Sequence, residues 1–581
     1  MHTAGRVHKK RESRGPTALW SGPGLKALAT GGEHSYQRPD ADAQTCLAAF
    51  QEADGVQETC SSQSALATLR FFLDMRDDGW RAESEWYADA GERVRLAFAS
   101  FLGAITSSPF REELRKTLGE QLFRRAEADA RTVSPAILPL RVEEEALSQE
   151  YMALVSRGTV RWQGRDMPLS SMQKCFTDTD RALRRAAMQT YNAWYDERRD
   201  ELHGLFARLV DNRARQADAL GFPTYTDMRY AQRIGFGREE IAAFRRNVAD
   251  RLMPTLCRIK EAQRVRLGVS TFRPEDSPLR FPDGNPVLKA QGEAMLDQAE
   301  AMFREMSPVT GEYFARMREE GLMDLPDRPG KAPYHAADIT LPLWDTDYIL
   351  GHFTGDESDL DCLAHEFGHA LASRRNTRAG LPFCLRTVGQ EVAETHSTTM
   401  ELLIWPWLDR FFSPADVKKY RRKQIEYAIY FIVSITEGDA FQHEIYDHPA
   451  MTPEERDTCY ARLQRQWCPY MDLSDPPYRF ASSLWQDMAV IYAQPFYMID
   501  YALAQLLALQ IYALSLRDYD EAFRRYLRFL DLSGTMDLSR LAQACGLLSP
   551  FDPACFDIAA GLWNDEAGGR FPEESASRTL P

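Results

Sequence analysis

No run of 18 or more apolar residues occurs in the 581-residue chain, which excludes a transmembrane helix. The nearest approach, residues 490–515, is interrupted by Gln494, Pro495, Asp500, Gln505 and Gln510. Positive charge is in deficit: 70 Lys+Arg against 85 Asp+Glu leave a net charge of −15. That sign argues against a general binder of nucleic acid or of an anionic membrane surface. Cysteine is sparse. The ten cysteines are scattered with no C-x-x-C pair, so neither a disulfide scaffold nor a cysteine-based zinc site is expected. The basic stretch from Met1 to Arg14 is followed by no apolar signal-peptide core, and the plain expectation is a reduced, cytoplasmic protein. What remains is ordinary globular composition, 44% hydrophobic and 27% charged, enough to bury a sizeable core.

Glycine and proline crowd the first 42 residues with little apolar periodicity, and a disordered tail is expected there. Residues 43–320 read as a succession of helical windows. In Ala187–Gln216, for example, Met188, Tyr191, Trp194, Leu202, Leu205, Phe206 and Leu209 recur at three- and four-residue steps. The texture changes between Gly330 and Phe353, where a Gly-Lys-Ala-Pro turn precedes two short strands, Ile339–Leu343 and Asp347–Phe353. Helical patterns resume at Asp359 and run to about Leu547, within a region taken to be 321–565. A polar C-terminal tail occupies 566–581. The fold class is therefore mostly α, with one small β element ahead of the main motif.

That motif is His365-Glu366-Phe367-Gly368-His369, an H-E-x-x-H. A random chain with this much His and Glu would contain one only about 0.02 times. Leu360, Leu363, Phe367 and Leu371 give the segment an apolar stripe, so it reads as a helix with both histidines on one face. Two neutral imidazoles at that spacing suit one Zn²⁺ and leave Glu366 beside the open position, where a carboxylate takes a proton from water. Candidates for a third ligand follow in a second helical window, 389–403. Glu391, Glu394 and Glu401 lie there at steps of three and seven, roughly on one face. His396 is an alternative on a different face. Burying a carboxylate face without a partner is costly, and a metal with its histidines would be that partner.

These residues carry a family likeness. The chain resembles the oligoendopeptidase F branch of the M3 metallopeptidases, the thimet oligopeptidase superfamily. Gly330-Lys331-Ala332-Pro333 is similar to the family's G-K-A-P segment. The run from His352 through Gly355 and Asp361 to His365–Ala370 resembles its strand, turn and metal helix. Glu391-Val392-Ala393-Glu394, with Ser397 and Met400–Leu403, resembles its third-ligand helix. Pro495-Phe496-Tyr497-Met498-Ile499-Asp500-Tyr501 is similar to its P-F-Y segment. The likeness spans about residues 145–550. It implies one zinc ion per chain on His365, His369 and Glu394, with Glu366 as general base. Glu391, Glu401 and Asp361 fall to supporting roles. It also implies an M3/zincin-like helical peptidase with a deep central channel, one wall formed by the helices of 43–320, and oligopeptide substrates that a narrow channel admits.

Two departures bear on the chemistry. Tyr334-His335-Ala336-Ala337-Asp338 stands where the family commonly has a G-G-Y-C loop, and Val490 stands where it usually has a histidine that donates to the oxyanion. Tyr492, Tyr497 and Tyr501 remain as candidate donors. Tyr497 and Tyr501, one helical turn apart and matching tyrosines of the family segment, are the preferred pair. The expectation is a zinc-dependent endopeptidase of short oligopeptides, using water activated by Glu366. Val490 motivates an alternative, a catalytically impaired peptide-binding protein. Both departures together motivate another, a specialised amide- or peptide-processing enzyme of a biosynthetic pathway. An oligopeptide is the expected partner, and the sequence specifies no oligomeric state.

Overall fold

The computed structural model describes residues 42–332, 336–474 and 483–567. The expected disordered tail lies outside these apart from Asp42, as do Tyr334 and His335 and the chain from residue 568 onward. The described residues are mostly helical. Before the motif the principal elements are α1 (Ala43–Leu73), α2 (Asp78–Thr106), β1 (Thr159–Trp162), β2 (Arg165–Pro168), α3 (Arg199–Ala219), α4 (Met253–Arg266) and α5 (Pro308–Glu319). Then come β3 (Met323–Pro326), β4 (Ala336–Leu341), β5 (Thr346–Phe353), α6 (Ser358–Arg378) and α7 (Gln390–Leu403). The last are α8 (Pro414–Asp447), α9 (Ile499–Ser515), α10 (Tyr519–Leu532) and α11 (Pro553–Ala567).

Two compact units interleave along the chain. The first gathers Met1–Val133, Leu288–Phe411 and Ile511–Ser549; the second gathers Ser134–Val287, Phe412–Gln510 and Pro550–Pro581. The boundary expected near residue 320 falls inside the first unit, between α5 and β3.

In the first unit, Asp42 starts α1 by accepting a hydrogen bond from the Thr45 amide at 2.7 Å. A core of Phe50, Phe98, Phe101, Leu102, Leu122 and Phe123 lies along α1, α2 and the helix Glu120–Thr132. The sheet has the order β3-β5-β4, with β3 parallel and β4 antiparallel to the central β5. Strand β4 ends at Leu341, short of the expected Leu343, because Pro342 has no N–H to give the ladder. Strand β3 was not expected at all; four residues with one buried side chain leave no readable period. The Gly-Lys-Ala turn serves this sheet. Gly330 adopts φ +92°, and buried Lys331 donates from Nζ to the carbonyls of Asp324 (2.7 Å) and Pro326 (3.1 Å).

In the second unit, Gln163 and Gly164 at φ 48° and 81° close the β1–β2 hairpin inside a stretch expected to be helical. The window Ala187–Gln216 is two helices, Arg181–Asp196 and α3, divided at Glu197 and Arg198. Helix continues past Leu547, since α11 reaches Ala567. Helix α9 is mostly buried, with Ala502, Leu503, Leu506 and Leu507 sealed from solvent. Among the described residues no helix is long and apolar enough to cross a membrane.

Candidate active site

Helix α6 is aimed by its first turn. Asp359 accepts from the amides of Gly355 (2.7 Å) and Thr354 (3.2 Å), tying the end of β5 to the helix start, and Gly355 makes the bend at φ +90°. Phe367 then anchors one face of α6 against Phe303, Phe314 and Tyr313, with ring centroids 4.2, 5.4 and 6.0 Å away. His365 and His369 share another face, their rings 4.9 Å apart and nearly perpendicular at 82°.

Gly368 brings the second helix in. A Cβ there would sit 2.8 Å from both the His396 carbonyl oxygen and the Ser397 Cα, so only glycine permits α6 and α7 to approach this closely. The approach puts Glu394 Oε2 at 3.3 Å from His365 Nε2 and 3.8 Å from His369 Nε2. One ligand atom from each of the three residues lies within 4.8 Å of the others. Glu394 is held in turn: Ser397 Oγ donates to Oε2 at 3.1 Å and Gln390 Nε2 donates to Oε1. Glu401 engages His365 Nδ1 at 2.6 Å, which leaves Nε2 as the nitrogen facing the group.

Burial opposes a charge on His365, yet the hydrogen bonds it donates to Glu394 and Glu401 outweigh burial and hold the imidazole well above its ordinary range. His369 goes the other way: burial, with the adjacent His365, pushes it down to about 4, so it is a neutral nitrogen donor at pH 7. Burial raises Glu366, opposed by His365 and by a backbone hydrogen bond to Asp338 of β4.

The other candidates separate. His396 lies apart from the group, its Nε2 2.7 Å from Ser533 Oγ, and burial pushes it down to about 3. Glu391 curls over its own helix start, where its carboxylate fills the space a side chain at Gly389 would need. Asp361 sits one turn before His365 on α6.

Asp338 beside Glu366, and Asp347 beside Asp338, are two carboxyls that the sequence alone does not single out. Asp347 of β5 is buried, accepts from Tyr313 Oη at 2.6 Å, and is pushed up to about 6 by burial. Asp338 is raised well above its ordinary range by burial and by the neighbouring Asp347 and Glu366. The strand register pairs Thr340 with Asp347 and places Asp338 two residues along β4.

The tyrosines belong to the second unit. Tyr492 is buried, stacks on Tyr151 at 4.0 Å, and donates to the Leu202 carbonyl at 3.3 Å. Tyr497 and Tyr501 are half-buried with their hydroxyls 3.0 Å apart. Phe496 just before them takes φ 64°, a strained value for a bulky residue. It is fixed by its amide donating to Gln442 Oε1 at 2.7 Å and its carbonyl accepting from Arg233 Nη2 at 2.6 Å. Val490 lies in the short helix Ala489–Ala493.

Comparison with known proteins agrees with this architecture. The family model for the peptidase M3 N-terminal domain matches residues 32–133, and that for peptidase family M3 matches 174–277 and 303–556. Among solved structures, PZ peptidase A with inhibitor 2 superposes with a TM-score of 0.86 at 29% identity, covering 95% of this chain and 99% of that one. A protein assigned as oligoendopeptidase F gives 0.86 at 30% identity, covering 96% and 98%. A protein of the same assignment from Bacillus anthracis str. Ames gives 0.82 at 26%, covering 95% and 97%. No curated protein matches.

Proposed function

Since the chain belongs to peptidase family M3 and is a metallo-oligopeptidase, we propose that it is a zinc-dependent endopeptidase of short oligopeptides, holding one zinc ion on His365, His369 and Glu394. The observation that carries this reading is the position of Glu394, a buried carboxylate from a second helix within 4 Å of Nε2 of both motif histidines. Two imidazole nitrogens and one carboxylate oxygen are a donor set that catalytic zinc sites use, and Glu401 on His365 Nδ1 supports it from behind. Zinc bound there supplies Lewis acidity and a water whose pKa falls to about 7.

Glu366 is the general base in this reading. Its carboxylate takes the proton of the attacking water and returns it to the leaving amine nitrogen. Burial lifts its pKa toward the working range of such a shuttle. Asp338 steadies it through the backbone contact from β4. That strand is the edge of its sheet, so its outer side suits an extended peptide added antiparallel. Tyr497 and Tyr501 are proposed as donors to the oxyanion, on the likeness of the Pro495–Tyr501 segment and the pairing of their hydroxyls.

Metal content and turnover, measured on the same variants, test the assignment. Glu394→Ala and His365→Ala lose zinc. Glu366→Gln keeps it while peptide hydrolysis falls by about 10²–10⁴. Full zinc content in both ligand variants, or wild-type kcat in Glu366→Gln, overturns the mechanism.

A further inference from the structure

Away from the histidine site, a cavity of about 740 Å³ opens in the second unit between α4 and the first turns of α8. That volume is in the range of small-ligand sites. Helix α4 presents Cys257, Arg258, Ala262, Val265 and Arg266 to it, and α8 contributes Arg422. The lining is mostly apolar; Val265 is 62% exposed within it.

The charges around this cavity are not balanced. Glu261, the one acidic lining residue, is held by Arg264 through two contacts of 2.7 Å. Arg266 is bound to Glu426 at 2.9 Å and to the Arg280 carbonyl at 2.7 Å. Arg258 and Arg422 differ. The Arg258 guanidinium donates to Thr255 Oγ1 at 2.9 Å and lies 5.6 Å from the Trp563 ring, with no carboxylate in an ion pair among the described residues. Arg422 is half-buried and has neither hydrogen bond nor ion pair there; its influence is felt by Glu566 only as an attraction through space. Behind them, five of the six residues Lys418–Lys423 are cations, of which Lys419 is paired with Asp283 at 2.8 Å.

From this geometry we infer that the α4–α8 cavity is a binding site for a small organic anion, its phosphate or carboxylate between Arg258 and Arg422 and its apolar body on Val265 and Ala262. Guanidinium groups suit such oxyanions because their planar N–H forks match two oxygens at once. No residue of the histidine site takes part, so the inference stands independently of the peptidase mechanism.

Calorimetric titration of the full chain with phenyl phosphate, inorganic phosphate and phenol tests it. Phenyl phosphate is expected to bind at one site per chain, about tenfold more tightly than inorganic phosphate, with phenol weaker than both. The Arg258→Gln/Arg422→Gln double variant should weaken phenyl phosphate at least about tenfold. Val265→Asn should weaken phenyl phosphate while leaving inorganic phosphate unchanged, which separates the apolar floor from the cations. No saturable binding of phenyl phosphate to the wild type, or unchanged affinity in the double arginine variant, overturns the site.

Discussion

Glu144, Asp276, Glu426 and Asp439, all in the second unit, each meet a guanidinium: Arg213 at 2.6 Å, Arg184 at 3.4 Å, Arg266 at 2.9 Å and Arg245 at 2.7 Å. In the first unit, Glu394 meets His365 and His369, while burial raises Asp338, Asp347 and Glu366, Asp338 further through the other two. Burying like charges together costs stability, and a fold keeps such an arrangement where the groups must take up and release protons or hold a metal. These four carboxylates of the second unit are instead each matched by a cation, a pairing that holds structure. The difference supports the proposed placement of the chemistry in the first unit.

The comparison makes opposite demands of mutation in the two units. Arg213 is sealed from solvent, bound to Glu144 and to Tyr446 Oη at 2.6 Å. Arg213→Met leaves that carboxylate unpaired, and should cost about 3–5 kcal/mol in chemical denaturation. A loss below about 1 kcal/mol would break the distinction, since the matched pairs would then not be structural.

Next in size is Tyr497. Tyr497→Phe keeps the ring and removes the hydroxyl, so kcat should fall by about 10²–10³ with KM little changed. Wild-type kcat would remove the tyrosines from the proposed mechanism and leave the second unit without a catalytic group. A smaller effect is expected one layer behind the histidines. Glu401→Gln keeps a hydrogen-bonding side chain on His365 Nδ1 but removes its charge, and zinc affinity should drop about 10–100-fold in competition with a chelator. Unchanged affinity would mean that Glu401 does not tune His365.

How much of this was legible beforehand depended on how local each signal was. The H-E-x-x-H helix was legible because the apolar positions Leu360, Leu363, Phe367 and Leu371 and the two histidines lie within one stretch of α6. Spacing alone left Glu391, Glu394 and Glu401 open. Their separation depends on the close approach at Gly368, which sets the part of α7 that meets His365 and His369. Asp338 and Asp347 were illegible as a pair because an antiparallel register brings them together, and register is not written in either strand alone. The β1–β2 hairpin escaped because four-residue strands carry too few alternations to stand out among helical windows. The interleaved units escaped for the same reason on a larger scale: they are contacts between segments hundreds of residues apart.

One buried carboxyl of the second unit has no such cation. Glu437 on α8 is buried, one carboxylate oxygen has no hydrogen-bond partner, and the other accepts from Cys468 Sγ at 3.9 Å. Burial pushes its pKa up to about 8, so the carboxyl is neutral in the fold where the unfolded chain would ionise it. The folded state therefore binds the extra proton across the interval from the ordinary glutamate range, about 4.3, to about 8. Stability falls as pH rises through that interval and levels off above it. Glu437→Gln replaces the neutral carboxyl by a neutral amide of nearly the same shape and removes the ionisation. Relative to wild type, the variant should gain about 1–3 kcal/mol between about pH 5 and pH 8. The rest of the titrating groups cancel in that difference, so denaturant unfolding of both proteins at several pH values isolates it. A difference that stays flat with pH would show Glu437 ionised and matched in the fold, and the second unit's pairing of buried charge would then hold without this exception.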